Sequence, residues 1–126
     1  MSASTFERLV AGIASQDEAA IASCFSDDVQ FRALVPPGVR ERSGAAETAR
    51  LISSWFEDST ELELVSQGTE DVGDRVHLWY RFAGVEDGEA YVVEHHLMCI
   101  AADGTIDRAD LLCSGFRPRG VDMIGG

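Results

Sequence analysis

The chain has 126 residues and a formal net charge of −12 at pH 7, with 45% hydrophobic and 25% charged residues. This length suits one domain with one hydrophobic core. The acidic balance argues against a nucleic-acid backbone or an anionic membrane surface as partner. No run approaches 18 apolar residues, and the start M-S-A-S-T-F-E-R lacks the features of a signal peptide. A cytoplasmic protein is therefore expected.

The chain has three cysteines, Cys24, Cys99 and Cys113, and all lie in apolar stretches. An odd number of cysteines forms no closed disulfide framework, so buried, reduced thiols are expected. No basic residue stands next to any of them to activate a thiolate. The sequence therefore offers no cysteine nucleophile.

The N-terminal half predicts three helices around one short strand. Ser4 and Glu7 have capping-box spacing before a helix over about 5–14, and Ser15 with Glu18 repeats that signature before a second helix. The segment 29–34 predicts a strand, and residues 36–42 predict a charged loop that begins with two prolines. A third helix is expected from Ser43, and its buried side is made of Ala49, Ile52, Trp55 and Phe56.

The C-terminal half predicts four long strands, at about 61–71, 74–84, 89–101 and 105–116, which are separated by turn signals at 72–74, 87–88 and 103–104. The Gly-rich tail after Pro118 is expected to be loose, so the ordered core spans about 4–118 of a single domain, 1–126. Helices followed by an antiparallel meander indicate an α+β fold. Strands of this length predict a strongly curved, mostly antiparallel sheet that forms a cone with the three helices, and its mouth is a natural pocket.

The order of these segments resembles the nuclear transport factor 2-like superfamily, which includes ketosteroid isomerases and SnoaL-like polyketide cyclases. The resemblance covers nearly the whole chain and is carried by F-E-R-L-V-A-G-I-A-S-Q-D, I-A-S-C-F-S-D-D-V-Q-F, R-S-G-A-A-E-T-A-R-L-I, V-G-D-R-V-H-L-W-Y-R-F-A-G and A-A-D-G-T-I-D-R-A-D-L. It implies the cystatin-like cone fold. It does not fix an activity, because one fold hosts many functions.

The resemblance also allows ketosteroid isomerase roles to be compared residue by residue. The family's oxyanion-donor tyrosine falls on Leu9, and its general-base aspartate falls on or near Ala33. Its protonated aspartic acid, the second donor, falls on His96. Because the tyrosine and the base are both absent, the resemblance argues against steroid isomerisation by that mechanism.

The run A-Y-V-V-E-H-H-L-M-C-I, residues 90–100, is the strongest functional signal in the sequence. In a strand Glu94 and His96 share one face and His95 takes the other. The resemblance places Glu94, His96 and Met98 toward the pocket, together with His77, Trp79 and Arg81 on the preceding strand. On that interpretation His95 belongs to a dimer surface or to simple packing.

The loop at Asp87-Gly88 leaves two registers open for this hairpin. An even-numbered loop sets Arg81 opposite Glu94 and Trp79 opposite His96. A three-residue loop with a bulge groups Tyr80 with Glu94 instead. The even-numbered loop is the favoured arrangement.

The predicted catalytic residues are His96, as a proton donor to a ligand oxygen, and Glu94, as a general base. Each has a structural alternative: His96 as an interior histidine bonded to Trp79 or Glu94, and Glu94 as the salt-bridge partner of Arg81, which would make it a poor base. Arg81 is also a candidate clamp for a ligand carboxylate. The predicted ligand-binding set is Arg81, Trp79, Trp55, Met98, Phe31 and His77.

These residues predict a pocket protein for a small, apolar, oxygen-bearing organic compound, acting as an isomerase, cyclase, hydratase or lyase. The alternatives are a non-catalytic ligand-binding or dimerisation module and, less favoured, a protein–protein adaptor. No cofactor, metal, nucleic acid or membrane is expected. A homodimer is expected through the outer sheet face, which on this interpretation carries Val76, Leu78, Tyr80, Phe82, Leu97 and Leu112.

Overall fold

A computed structural model describes residues 2–35 and 38–118, with side chains from Thr5 onward. The elements in chain order are α1 Ser2–Ala14, α2 Glu18–Ala22, β1 Phe25–Val35, β2 Gly38–Ser43, α3 Ala45–Ser54, β3 Ser59–Val72, β4 Arg75–Glu86, β5 Glu89–Ala102, β6 Thr105–Cys113 and β7 Arg117–Pro118. The α+β fold class and the four long C-terminal strands are confirmed. The predicted capping role of Ser4 lies outside the side chains that the structure describes. The tail 119–126 lies outside the described residues.

Two local predictions need correction. The cap of α2 is Asp17 rather than Ser15: the Asp17 carboxylate accepts a hydrogen bond from the Ala20 N–H at 3.1 Å, whereas the Ser15 hydroxyl donates to the Gly12 carbonyl. The predicted loop before α3 contains the strand β2, which pairs antiparallel with β1. Charged side chains are typical of an edge strand, and they interrupt the alternation of apolar residues from which a strand is predicted.

The sheet has the strand order β2-β1-β6-β5-β4-β3, and β7 adds to β5 beside Tyr91 and Val92. All neighbours are antiparallel except β1 and β6, which run parallel. Register shifts interrupt the β3–β4 and β5–β6 pairs. Such bulges increase local twist, and the long sheet curls accordingly.

The two faces of the sheet have different surroundings. The inner face packs on the helices, and its residues on β4 and β5 are buried: Leu78, Tyr80, Phe82, Val93, His95, Leu97 and Cys99. They share one core with Phe6, Leu9 and Phe56 from the helical side. The outer face carries the alternate residues of β4 and β5, which are partly or fully exposed except for Ala83. Alternation of side chains along each strand produces this division.

Polar contacts fix the helices on the inner face. The Thr5 hydroxyl donates to the Gly104 carbonyl at 2.7 Å and ties α1 to the β5–β6 turn. The Gln16 amide donates to the carbonyls of Phe56 at 2.7 Å and Ser59 at 3.2 Å. These bonds hold the end of α3 and the two aromatic residues after it over the sheet. None of the helices in the described ranges is long and apolar enough to cross a membrane.

Candidate functional site

The β4–β5 hairpin has the favoured register. Asp87 and Gly88 both have positive φ, at 54° and 79°, and Glu86 pairs with Glu89. This is the geometry of a two-residue turn. Trp79 therefore pairs with His96, and Arg81 pairs with Glu94. The alternative with a three-residue loop is wrong.

The predicted direction of these side chains is also wrong. Six residues that were predicted to line the interior lie on the outer face: His77, Trp79, Arg81, Glu94, His96 and Met98. The inner face is formed instead by the intervening residues, which are almost all apolar. Burying them gains hydrophobic free energy, whereas burying the arginine, the glutamate and two histidines would cost desolvation free energy.

Two residues of the predicted set do lie on the inner side. Phe31 is buried on β1 and packs edge-to-face on Phe25, with ring centroids 6.3 Å apart. Trp55, directly after α3, is partly exposed and packs edge-to-face on the His95 ring at 5.4 Å. The ligand-binding role of Trp55 remains a prediction.

The inner face has one buried imidazole, that of His95, among the side chains that the structure describes. Its Nδ1 lies 2.9 Å from the hydroxyl of Tyr80, which is directly opposite on β4. The rings of Trp55, Phe56 and Tyr80 surround it at centroid distances of 5.4, 5.9 and 5.3 Å. The other nitrogen, Nε2, is buried and has no hydrogen-bond partner among the described residues.

Of the two alternatives that the sequence interpretation gave for His95, the dimer surface is wrong and simple packing agrees with its burial. A signal for its true position was present, because His95 alternates with Val93, Leu97 and Cys99 in one apolar row. A titratable side chain inside such a row indicates a buried polar group, which is a candidate functional group.

Hydrogen-bond accounting assigns the tautomer of His95. If the Tyr80 hydroxyl donates to Nδ1, the only unsatisfied group is the N–H at Nε2. If Nδ1 donates instead, both the Tyr80 hydroxyl hydrogen and the Nε2 lone pair lack a partner among the described residues. Unsatisfied buried polar groups are costly, so the first arrangement is favoured. His95 thus presents an N–H donor at Nε2.

Burial keeps both members of this pair neutral. Desolvation lowers the pKa of His95 from its ordinary value of 6.5 to about 3, with a smaller contribution from the charge of His96. Desolvation also raises the pKa of Tyr80 well above its ordinary value. At neutral pH the pair is therefore a hydrogen-bond donor and not a general base. The other buried polar residues described are Thr5, Thr48 and Ser59, and none of them is a carboxylate.

The outer face holds the predicted acid–base residues in a different arrangement. The Arg81 guanidinium donates to Glu94 Oε1 through Nε at 3.0 Å and Nη2 at 2.8 Å, and His96 Nε2 lies 2.5 Å from Glu94 Oε2. The hydrogen bond from His96, followed by the effects of Arg81, lowers the pKa of Glu94. The salt-bridge alternative for Glu94 therefore agrees with the structure, and Glu94 is a poor base. No metal-binding cluster of three or more His, Cys, Asp or Glu occurs in the described ranges.

The comparison with known families gives a match over residues 6–109 to the model of the SnoaL-like domain. The chain belongs to the SnoaL-like family. Its fold is that of the nuclear transport factor 2-like superfamily, as the sequence resemblance implied. A comparison with curated proteins finds no match.

Several solved structures share the fold of this SnoaL-like chain. A proposed isomerase from Bacillus subtilis is 17% identical, with a TM-score of 0.74 over 90% of this chain and 86% of that one. A proposed polyketide cyclase from Xanthomonas campestris pv. campestris is 20% identical, with a TM-score of 0.71 over 88% of both chains. A protein with a ketosteroid isomerase-like fold from Catenulispora acidiphila, in complex with trimethylamine, is 12% identical, with a TM-score of 0.73 over 88% of this chain and 85% of that one.

The positions compared with the ketosteroid isomerase residues can now be located in the SnoaL-like fold. Leu9 and Ala33, on which the isomerase tyrosine and base were placed, are fully buried apolar core residues. The donor position was placed on His96, which lies on the outer face. The imidazole that β5 directs inward belongs to His95, one residue earlier.

Proposed function

We propose that this SnoaL-like protein binds a small, mostly apolar organic molecule through an acceptor oxygen, at the inner face beside His95. The observation that supports the proposal is the buried Nε2 of His95, which has no partner among the described residues. A buried donor without an acceptor costs about 1–3 kcal/mol. A ligand oxygen that accepted this hydrogen bond would recover that cost.

The surroundings of His95 favour a neutral ligand. The aromatic rings of Trp55, Phe56 and Tyr80 offer apolar contact, and no arginine is buried in the described interior. A carboxylate placed there would lose its hydration without a compensating cation. A ketone, an aldehyde or an ester carbonyl fits the site better.

We propose that a ligand reaches the site past Trp55. It is the partly exposed member of the ring group around His95, and it follows the last turn of α3. Rotation of its indole would open the inner face to solvent without breaking a strand pair. Side-chain rotation of this kind is a common interface adjustment on ligand binding.

The second candidate is isomerisation or cyclisation of a carbonyl compound. It is supported by the names of two structural neighbours and by the donor at His95 Nε2, which would stabilise negative charge that develops on a carbonyl oxygen. The described interior has no carboxylate that could act as a base. Binding with polarisation of the carbonyl is therefore the function that the geometry supports best.

The first test compares two probes of nearly the same shape. Acetophenone carries a carbonyl oxygen where α-methylstyrene carries a methylene group. One neutral hydrogen bond contributes about 1 kcal/mol, so we expect the protein to bind acetophenone roughly 5-fold more tightly, with its carbonyl stretching frequency lowered in the bound state. Isothermal titration calorimetry and infrared difference spectroscopy measure the two effects.

His95→Leu is expected to remove both the preference and the frequency shift, while His77→Gln, on the outer face, is expected to keep them. Equal binding of both probes by the unmodified protein would contradict the role of His95. Absence of binding by either probe, even at millimolar concentration, would contradict the apolar interior site.

We also propose that a second copy of the chain covers the outer face. The earlier dimer residues are wrong, because Leu78, Tyr80, Phe82 and Leu97 are buried on the inner face, where Val76 also packs. Only Leu112 of that set is an exposed outer-face residue. It is 52% exposed and stands in register with Leu34, which pairs with Val39, and these are 50% and 58% exposed.

The charges of the outer face support a copy of the same chain as its occupant. Arg32 pairs with Asp110 at 3.1 Å, and Arg81 pairs with Glu94 at 2.8 Å. The outer face thus carries two ion pairs although the chain carries −12 overall, so two copies meet there with less repulsion than they would on a face of unpaired carboxylates. Identical patches related by a two-fold axis are the usual form of a homodimer.

Light scattering at micromolar concentration is expected to give twice the chain mass of 13.6 kDa. Leu112→Arg should convert the protein to the monomer, because it places a charge in each half of the interface. Val72→Arg changes an outer-face residue of similar exposure, 45%, on the strand at the opposite edge of the sheet from Leu34 and Val39, and should weaken the dimer far less. A monomer mass for the unmodified protein, or a dimer that Leu112→Arg does not weaken, would refute the proposal.

A further inference from the structure

A chain of hydrogen bonds crosses three strands on the outer face. It begins at Glu70 on β3, whose Oε1 lies 3.3 Å from Nδ1 of His77 on β4. The Nε2 of His77 lies 2.9 Å from Nδ1 of His96 on β5, and the two rings meet edge to edge, with centroids 5.1 Å apart and an interplanar angle of 20°. The Nε2 of His96 lies 2.5 Å from Glu94 Oε2. We call these four residues the outer-face relay.

The number of hydrogen atoms in the relay follows from its geometry. The two terminal carboxylates only accept, so each end requires an N–H on its imidazole. The contact between the rings requires one more N–H. Three hydrogen bonds therefore need three N–H groups, but two neutral imidazoles supply only two.

We propose that His77 and His96 together hold one proton more than two neutral rings and share it across the N···N contact. When the proton sits on His77, its Nε2–H donates to His96 Nδ1. When it sits on His96, Nδ1–H donates to His77 Nε2. Both forms satisfy all three hydrogen bonds, and they differ only in the position of one hydrogen atom. This inference does not depend on the interior site or on the dimer.

The charges around the relay support a single excess proton. Glu70 and Glu94 contribute two negative charges from β3 and β5, and Arg81 of β4 contributes one positive charge through Glu94. From β6, Asp110 stands opposite Met98 and is paired with Arg32 of β1. His95 lies behind the relay on the inner face and is neutral. One shared proton brings the relay and Arg81 to a net charge of zero.

The hydrogen bonds of the relay are incomplete with one hydrogen atom fewer and also with one more. Without the shared proton, either a nitrogen lone pair faces a carboxylate oxygen at one end, or both ends are satisfied and two nitrogen lone pairs face each other across the contact between the rings. With a second excess proton, two N–H groups would point at each other across the 2.9 Å contact. The complete relay therefore exists only with one excess proton, and it ties β3, β4 and β5 together only in that state.

Nitrogen-15 NMR of the full chain labelled at histidine tests the proposal at neutral pH. We expect a scalar coupling between His77 Nε2 and His96 Nδ1, and ring nitrogen shifts that correspond to one cation shared by two rings. Glu94→Gln and Glu70→Gln each remove one carboxylate charge, so each should lower the fraction of molecules in which the two rings hold the excess proton. Asp110→Asn, which alters a carboxylate paired with Arg32 on the same face, should leave the shifts unchanged.

Two neutral rings in the unmodified protein, or the absence of coupling between them, would overturn the proposal. It would also fail if Asp110→Asn changed the histidine shifts as much as both relay variants do. Because Glu70 is largely exposed, Glu70→Gln is expected to fold normally and keeps the test valid if Glu94→Gln does not.

Discussion

Lowering the pH from 7 to 4 is expected to reduce the free energy of unfolding by about 3 kcal/mol through His95 alone. The native fold holds this imidazole neutral, with a pKa of about 3 against an ordinary 6.5, because burial disfavours the charged ring. The unfolded chain therefore takes up the proton first. Stability is full above pH 6.5 and falls as the pH decreases toward 3.

Denaturant unfolding at a series of pH values measures this effect, and variants isolate it from the titration of the many carboxylates. His95→Leu should abolish the His95 share of the acid destabilisation and leave the smaller loss due to Glu94, whose pKa is lowered in the native state. Leu97→Ala, at a neighbouring buried position, should lower stability by a similar amount at every pH. If His95→Leu lost stability with acid as steeply as the unmodified protein, His95 would not be a buried neutral imidazole.

Tyr80→Phe is expected to lower the free energy of unfolding by about 1–3 kcal/mol, because the variant leaves the buried His95 Nδ1 without its donor. The double variant Tyr80→Phe/His95→Leu removes both polar partners. It should recover most of that loss, because two apolar side chains then replace a hydrogen-bonded pair. Chemical denaturation of the two single variants and the double variant gives the coupling free energy.

A matched substitution elsewhere on the inner face provides the control. The Tyr91 hydroxyl lies 2.6 Å from Ser59 Oγ, also in a buried contact, so Tyr91→Phe should carry a comparable cost. That cost should simply add to the effect of His95→Leu, since the two sites share no hydrogen bond. If the effects of Tyr80→Phe and His95→Leu on the free energy of unfolding were also additive, the Tyr80–His95 hydrogen bond would contribute nothing to stability.

Most of the fold could be predicted from the sequence because its signals are local. The turn at Asp87-Gly88 fixes the hairpin register, and the long alternating runs on both sides of it fix the strands. The strand β2 could not be predicted in the same way. Its residues are mostly charged, and its pairing with β1 depends on a neighbour that no local pattern reveals.

The candidate site was harder to predict because register and direction are separate questions. Arg81 and Glu94 were correctly paired, but pairing is the same whichever face turns inward. The direction depends on which face loses less free energy when it is buried, summed over several strands. The row of Leu78, Tyr80 and Phe82 is far more apolar than the row of His77, Trp79 and Arg81, and that difference would have placed His95 inside.

Nitrogen-15 NMR of the His95 ring during titration with acetophenone tests the interior site most directly. We expect the free protein to carry its ring hydrogen on Nε2, with Nδ1 accepting from Tyr80. Acetophenone should shift the Nε2–H resonance, and α-methylstyrene should not shift it to the same extent. A ring hydrogen on Nδ1, or an identical response to both compounds, would contradict the proposed hydrogen bond between His95 and a ligand oxygen.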